Sequence, residues 1–224
     1  LSAELGVSID TIRRDLISLE RRGLVRRTRG GAMPVTAPMP PYLSRVDESD
    51  PRIEPLAARA VRLIPETATV FLDAGTTMNA VAARLPETFR GLIVTPAPSV
   101  ALAALSRGAK VHLVGGILCP EGAMATGGEA ERAVGDFAAD ICFLGACGLW
   151  PDFGLSAEDA GEAGVKRAMA HASAKSVVVT SASKLDWQGR HRVLSLHEID
   201  TLVTDAGETT QRPFIEAGIE VLNV

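Results

Sequence analysis

The run Asp73-Ala74-Gly75-Thr76-Thr77 closes an apolar stretch, ATVFL at 68–72, and leads into an alanine-rich stretch. A glycine turn at the carboxyl end of a strand, opening a helix, points backbone N–H groups and the positive end of a helix dipole at one place. That is a seat for a phosphate. Thr76 and Thr77 add hydroxyl donors, and Asp73 is placed to accept from sugar hydroxyls. The same residues also read as an ordinary tight turn with a threonine cap. Further glycines stand where other strands should end: Gly115-Gly116 after 110–114, Gly127-Gly128 ahead of a helix, and Gly145 to Gly148 after 141–144. Lys166 and Ser183-Lys184 bring mobile positive charge to the same edge. Plainer roles compete for both lysines: Lys166 lies four residues from Glu162, the spacing of a helical ion pair, and Lys184 could be a solvated surface residue.

A second chemistry is written near the amino end. Residues 1–34 carry a net charge of +3 and the rest −7, with five arginines among the nine residues Arg21–Arg29. A basic end on an acidic body is what one part meeting a polyanion requires, although a solvated basic face would read the same by charge alone. Leu1–Gly6 reads as the end of a short helix, and Ser8 as the cap of another from Ile9 to Arg22, stopped by Gly23. At helical spacing Ile9, Ile12, Leu16 and Leu19 form one apolar stripe, while Asp10, Thr11, Arg14, Ser18 and Arg21 face away from it. Two helices joined by a tight turn, the second with an arginine-bearing outer face, make a helix-turn-helix that presents Ser8, Asp10, Thr11, Arg13 and Arg14 to a DNA groove. Leu24 to Gly31 then forms a wing, placing Arg26, Arg27 and Arg29 beside phosphates.

These residues need a scaffold, and the chain describes one. Short β-branched runs at 68–72, 92–95, 110–114, 141–146, 176–180 and 201–204 alternate with helical stretches at 53–64, 77–85, 98–106, 129–136 and 160–172, and 210–222 adds a last helix and strand. Continuous apolar strands alternating with helices predict an α/β fold, a mainly parallel sheet with helices on both faces. Ligands of such sheets gather at the carboxyl ends of the strands. Five prolines between Ala32 and Pro51 mark a linker, so the predicted plan is a DNA-binding domain at 1–33, a linker at 34–51 and an effector domain at 52–224.

Composition sets the outer limits. The 224 residues carry a net charge of −4, with 46% hydrophobic and 22% charged residues, which excludes wholesale disorder. Aromatics are only 4%, so the core must be built from Ala, Val, Leu and Ile. No apolar run approaches the ~20 residues needed to span a bilayer. The first residues do not form a secretory signal, and Cys119, Cys142 and Cys147 suit a reducing cytoplasm. The histidines at 112, 171, 191 and 197 lack ligand spacing, so no metal is expected. The G-x-G-x-x-G and Gly-Lys-Ser/Thr patterns do not occur, which argues against NAD and ATP.

Val7 to Leu16 with its Thr-Ile-Arg-Arg-Asp-Leu core, followed by Leu19, Gly23, Leu24, Arg26 and Gly30-Gly31-Ala32, resembles the DNA-binding domain of DeoR-type transcriptional regulators. Asp73-x-Gly75-Thr76-Thr77, Gly115-Gly116, Gly127, Asp140-x-x-Phe143-x-Gly145, Gly154-Leu155-Ser156, Lys166 and Ser183-Lys184 resemble the effector domain of the same regulators. The resemblance implies a fold similar to ribose-5-phosphate isomerase and glucosamine-6-phosphate deaminase, with a phosphorylated sugar as effector and no cofactor. It implies that the Gly75–Thr77 loop holds the phosphate, with Lys184 assisting, and that Gly115, Gly116, Gly148 and Lys166 line the site. It also implies a further helix ahead of the one ending at Gly6, so the winged helix-turn-helix is expected to be truncated here. Pro96 stands where many relatives have Asn, and Cys119 where Arg is common. Isomerases carry Asp-Gly-Ala-Asp-Glu and deaminases Asp-Gly-His after a strand like 141–146, whereas Leu144-Gly145-Ala146-Cys147-Gly148-Leu149 has neither acid nor His. The expected protein is a regulator of a carbohydrate-use operon, a homo-oligomer with operator DNA and a sugar phosphate as partners and none in the membrane. A sugar-phosphate isomerase or deaminase-like enzyme is the alternative.

Overall fold

The computed structural model describes residues 2–21, 25–28, 31–34, 40–46 and 50–224. The chain divides into two compact units, Leu1–Pro38 and Met39–Val224. The first unit opens with α1 (Ser2–Leu5), closed by Gly6 in a left-handed conformation, φ +66°. Helix α2 (Ile9–Arg21) starts where Ser8 Oγ accepts the Thr11 N–H at 3.1 Å, the cap expected there. Ile12, Leu16 and Leu19 are half-buried and Ile17 joins them, but Ile9 stays 61% exposed and leaves the stripe. Strands β1 (Val25–Thr28) and β2 (Gly31–Pro34) pair antiparallel, Thr28 opposite Gly31, as a wing requires. Arg26 and Arg27 lie on β1, but their side chains, the whole of Arg29 and the expected helix stop at Arg22-Gly23 lie outside the described residues.

The second unit runs α3 (Tyr42–Val46), α4 (Ile53–Val61), β3 (Thr69–Leu72), α5 (Thr76–Ala83), β4 (Leu92–Thr95), α6 (Pro98–Ser106) and β5 (Lys110–Leu113). It continues with β6 (Ile117–Cys119), β7 (Met124–Thr126), α7 (Gly128–Gly135), β8 (Ile141–Gly145), β9 (Gly148–Trp150) and β10 (Gly154–Ala157). The last elements are α8 (Ala160–His171), β11 (Ser176–Val179), β12 (His191–Leu194), β13 (Thr201–Thr204), α9 (Glu208–Glu216) and β14 (Glu220–Asn223). The seven strands read from the sequence all enter one sheet, in the order β14-β13-β11-β8-β3-β4-β5, and every pairing in it is parallel. Central strands β8, β11 and β13 are buried almost along their length, as a sheet covered on both faces demands. Right-handed crossovers run one way from β3 through β5 and the opposite way from β8 through β14, which sets their helices on opposite faces. The reversal lies between β3 and β8, and a crevice opens at the carboxyl ends of two such strands.

The structure adds three features to those expected. A hairpin, β6 with β7, follows β5, and a small antiparallel sheet, β12-β10-β9, follows β8. The third lies in the stretch read as linker. Tyr42 is buried and its N–H donates to the Pro120 carbonyl at 3.3 Å, so 40–46 is packed onto the second unit and is not free spacer.

One local device is testable. Ser195 caps the 3-10 turn Leu196–Glu198, and the Glu198 carboxylate accepts the Ser195 N–H at 2.8 Å and stands 3.1 Å from His171 Nε2. The hydrogen bonds from the Ser195 hydroxyl and N–H, helped by His171, hold the Glu198 carboxyl down at about 2 from an ordinary 4.5. A lowered folded-state pKa stabilises above the unfolded value and is lost as pH falls through the folded one. Glu198→Gln should therefore cost about 1 kcal/mol at neutral pH, a figure discounted for solvent exposure. The deficit should vanish as denaturation is followed from pH 4.5 down to 2.

Candidate functional site

Asp73 is the first residue past β3 and is fully buried. The backbone sets it there: its N–H donates to the Phe143 carbonyl of β8 at 3.0 Å, extending the ladder by one residue. Its Oδ2 accepts the Gly145 N–H at 2.9 Å and forms an ion pair with Lys166 Nζ, which also donates to the Gly145 carbonyl at 3.2 Å. Lys166 reaches this point from α8 and is only 5% exposed. Burial opposes its charge, but Asp73, with Cys147 and Glu162, holds its pKa above that of an ordinary lysine. The expected helical pair with Glu162 gives way to this one, because Asp73 lies at the strand end above which α8 passes. Asp73 is thereby largely committed to the protein, a buried anchor between β3, β8 and α8. Its Oδ1 alone lacks a hydrogen-bond partner.

Beyond Asp73 the chain turns through Gly75, φ +106°, a conformation a side chain would strain, with open space where a Cβ would stand. Helix α5 starts at Thr76 with no side chain capping its N-terminus. Gly127 ahead of α7 repeats the arrangement, φ +97° with open space and no cap, whereas α8 is capped by Asp159, which accepts the Glu162 N–H at 2.9 Å. Thr76 and Thr77 are half-exposed at the α5 opening.

Lys184 ends the 3-10 turn that follows β11. No hydrogen bond or ion pair engages its ammonium among the described residues. Burial lowers its pKa first, and the positive charges of Arg45 and Lys166 lower it further against the pull of Cys147 and Asp50. Gly115 and Gly116 are exposed past edge strand β5, on the far side of β4 from Asp73. Gly148 does not belong to the open edge: it is buried, and a Cβ there would come within 2.4 Å of the Trp187 ring and 2.5 Å of its carbonyl oxygen. Its place is close packing between β9 and that tryptophan.

Other groups at this edge escaped the sequence reading. Among the described residues, the buried side-chain polar atoms without a partner are Asp73 Oδ1, Ser99 Oγ and Thr180 Oγ1. They lie past β3, just after β4 and just past β11, all at carboxyl ends. An orphaned buried polar group costs about 1–3 kcal/mol, so each of the three has room for a further hydrogen-bond partner, water included. Proline before Ser99 at a helix start was the available signal. Glu162 is buried and its carboxyl is held above the usual range by desolvation, against the pull of Lys166. The Cys119 thiol, pushed up to about 12 by burial and by Glu121, stays protonated and donates to Glu121 Oε2 at 2.9 Å and Glu162 Oε1 at 3.4 Å.

On α2, Asp10, Thr11, Arg13 and Arg14 are exposed, and Arg13 stands 3.4 Å from Asp10 in an exposed pair. Ser8 Oγ is shared between the helix cap and the Thr11 hydroxyl at 2.9 Å. No described helix is long and apolar enough to cross a membrane. Groups of His, Cys, Asp and Glu able to hold a metal are absent among the described residues.

Comparison with known proteins agrees with both units. Residues 1–37 match the DeoR-like helix-turn-helix domain and residues 54–206 the DeoR C terminal sensor domain. The chain is 37% identical to the HTH-type transcriptional regulator GlpR of Haloferax volcanii, covering 100% of this chain and 89% of that protein. It is 30% identical to a putative aga operon transcriptional repressor of Escherichia coli O157:H7, over 100% and 86%. It is 33% identical to the glycerol-3-phosphate regulon repressor of Haemophilus influenzae, over 91% and 80%. Among solved structures it is similar to ribose 5 phosphate isomerase A from Neisseria gonorrhoeae, 17% identical, TM-score 0.43, over 59% of this chain and 52% of that one. With both units matched in order and relatives aligned along nearly its whole length, the chain belongs to the DeoR family of transcriptional regulators.

Proposed function

We propose that this regulator represses a carbohydrate-use operon in the cytoplasm and that a phosphorylated sugar or related metabolite, bound at the carboxyl edge of the sheet, controls it. The observation that carries the reading is the open N-terminus of α5 behind Gly75, on the same edge as Lys184, whose ammonium makes no hydrogen bond or ion pair among the described residues although Asp50 acts on its charge. The phosphate accepts from the first N–H groups of α5 and from Thr76 and Thr77, with Lys184 supplying charge. A hydroxyl of the sugar donates to the orphaned Asp73 Oδ1. Gly115 and Gly116 bound the site on the β5 side. Relatives that regulate aga or glycerol-3-phosphate genes support this ligand class.

In the first unit, α2 enters the major groove with Thr11, Arg13 and Arg14 toward the bases, and Arg26, Arg27 and Arg29 of the wing meet phosphates. Two-fold operators call for a homo-oligomer. An effector that binds one arrangement of the oligomer better shifts the population and with it operator affinity. No cofactor enters this scheme. Catalysis is not part of it either, since Glu162 accepts from Cys119 and the stretch after β8 lacks an acid or His.

Thermal unfolding against a panel of sugar phosphates tests the site. The right compound should raise Tm and be recovered unchanged, and Thr76→Val with Thr77→Val should abolish the rise. An undiminished rise in that double variant would remove the loop from the site.

A further inference from the structure

Strand β5 ends the large sheet: it pairs with β4 on one side and, among the described strands, with nothing on the other. The direction of its free groups follows from the ladder. The Val114 N–H donates to the Thr95 carbonyl at 2.9 Å, and along a strand successive residues turn their N–H and C=O groups to opposite sides, so Lys110, His112 and Val114 face β4. Val111 and Leu113 therefore aim theirs away from the sheet. Val111 is half-buried and Leu113 exposed, so this edge is open.

The surface around the edge is apolar. Helix α6 packs on β4, β5 and α5 and so ends its layer of helices, yet it exposes Leu102 and Leu105. Past β5, Ile117 and Leu118 of β6 are exposed, Ile117 by 80%. Being consecutive they lie on opposite faces of that strand, so β6 is uncovered on both. Between residues 91 and 120 the only ionised side chains are Arg107 and Lys110, and Arg107 is turned to the Leu85 carbonyl at 2.9 Å. These five exposed aliphatic side chains present on the order of 500 Å², as much as the largest patch on an ordinary monomer. Each partner in a standard interface gives about 800 Å², so the patch supplies well over half of what a stable dimer needs. The open backbone groups narrow the occupant further. Nucleic acid needs a cationic surface, and lipid tails offer nothing to bond N–H and C=O groups. Another strand satisfies them. A strand laid antiparallel on a second copy of itself about a two-fold axis satisfies the same groups on both copies and closes the assembly.

We propose that the β5 edge, flanked by α6 and β6, is the interface between two copies of this chain. The choice of a second copy rests on the homo-oligomer that two-fold operators call for; the effector reading does not enter it. With the axis at His112, Val111 pairs with the partner's Leu113, and Leu113 with the partner's Val111, each pair exchanging both hydrogen bonds. An axis at Val111 would instead set Lys110 opposite the partner's His112, so the apolar pairing selects the first register. The two α6 helices then lie on the same side of the joined sheet, flanking the axis.

Sedimentation velocity of the full chain over a range of concentrations tests the surface. The wild type should self-associate. Leu113→Asp with Ile117→Asp, and separately Leu102→Glu with Leu105→Glu, should each raise the dissociation constant about tenfold or more, because a charge is desolvated without a partner. All four positions are exposed, and far-UV circular dichroism checks that the variants keep the fold. His112→Cys in a Cys119→Ser background should cross-link two chains on mild oxidation, while the background alone should not. Self-facing positions of a non-hydrogen-bonded pair stand about 4.5 Å apart at Cα, within disulfide range. Dissociation by the variants without that cross-link keeps the interface and overturns the register. An assembly that survives both double variants and gives no cross-link overturns the interface and leaves the homo-oligomer standing. A wild type that stays monomeric overturns both.

Discussion

Replacing Lys166 with methionine should destabilise the larger unit by about 3–5 kcal/mol, because the change strands a buried carboxylate. Asp73 is fully buried, and Lys166 is the cation that meets its Oδ2. Methionine matches much of the lysine stem but leaves Asp73 with the single N–H of Gly145. The pair is not thereby a large net source of stability, since taking both charges out of water costs about what their attraction returns. The double variant Asp73→Asn with Lys166→Met should accordingly recover most of the loss, and a double-mutant cycle by urea denaturation reads the coupling directly. A loss below about 1 kcal/mol for Lys166→Met alone would mean that Asp73 is not held as an anion.

Arg14→Ala should weaken operator binding by about 10- to 100-fold, the range for losing one side chain that reads a base edge. Arg14 is exposed on α2, on the face away from Ile12, Leu16 and Leu19. Arg13, one residue before, already stands beside Asp10. The measurement is a gel-shift titration on a duplex selected by the wild-type protein from a random pool, repeated at several salt concentrations. A base contact shows as lost discrimination between selected and random duplex, whereas a phosphate contact lowers both and flattens the salt slope by about one unit. Unchanged affinity would remove α2 from the recognition role.

Much of the scaffold was legible because its signals are local. Six strands of the parallel sheet are short runs bounded by glycine, proline or aspartate, which the structure keeps to within a residue or two, and the seventh, expected only somewhere within 210–222, falls at Glu220–Asn223. The Gly75 turn was legible for the same reason. The features that were missed depend on distant partners. Lys166 and Glu162 sit at a spacing that invites a helical pair, and nothing along the sequence says that the lysine's partner is Asp73, 93 residues away. Gly148 looked like one more strand-end glycine, and only the Trp187 ring against it shows that it is a packing residue. Strands β9 and β10 are too short for a period to register, and prolines around α3 concealed a helix that holds only because Tyr42 and Arg45 find Pro120 and Glu121.

The reversal of strand order between β3 and β8 also constrains how the chain is made. Strand β3 is the first of the large sheet to be synthesised, yet it lies at the centre, and one of its edges has no partner until β8 is complete. Asp73 waits longer still, for a lysine on the helix after that. During synthesis, β3 to β5 can assemble as a half-sheet, but its inner edge is unpaired and its central carboxylate uncompensated. Such an edge invites wrong pairing. The crevice between β3 and β8 is thus complete only once α8 has docked, and a piece carrying every group of the proposed effector site must reach from β3 through Lys184.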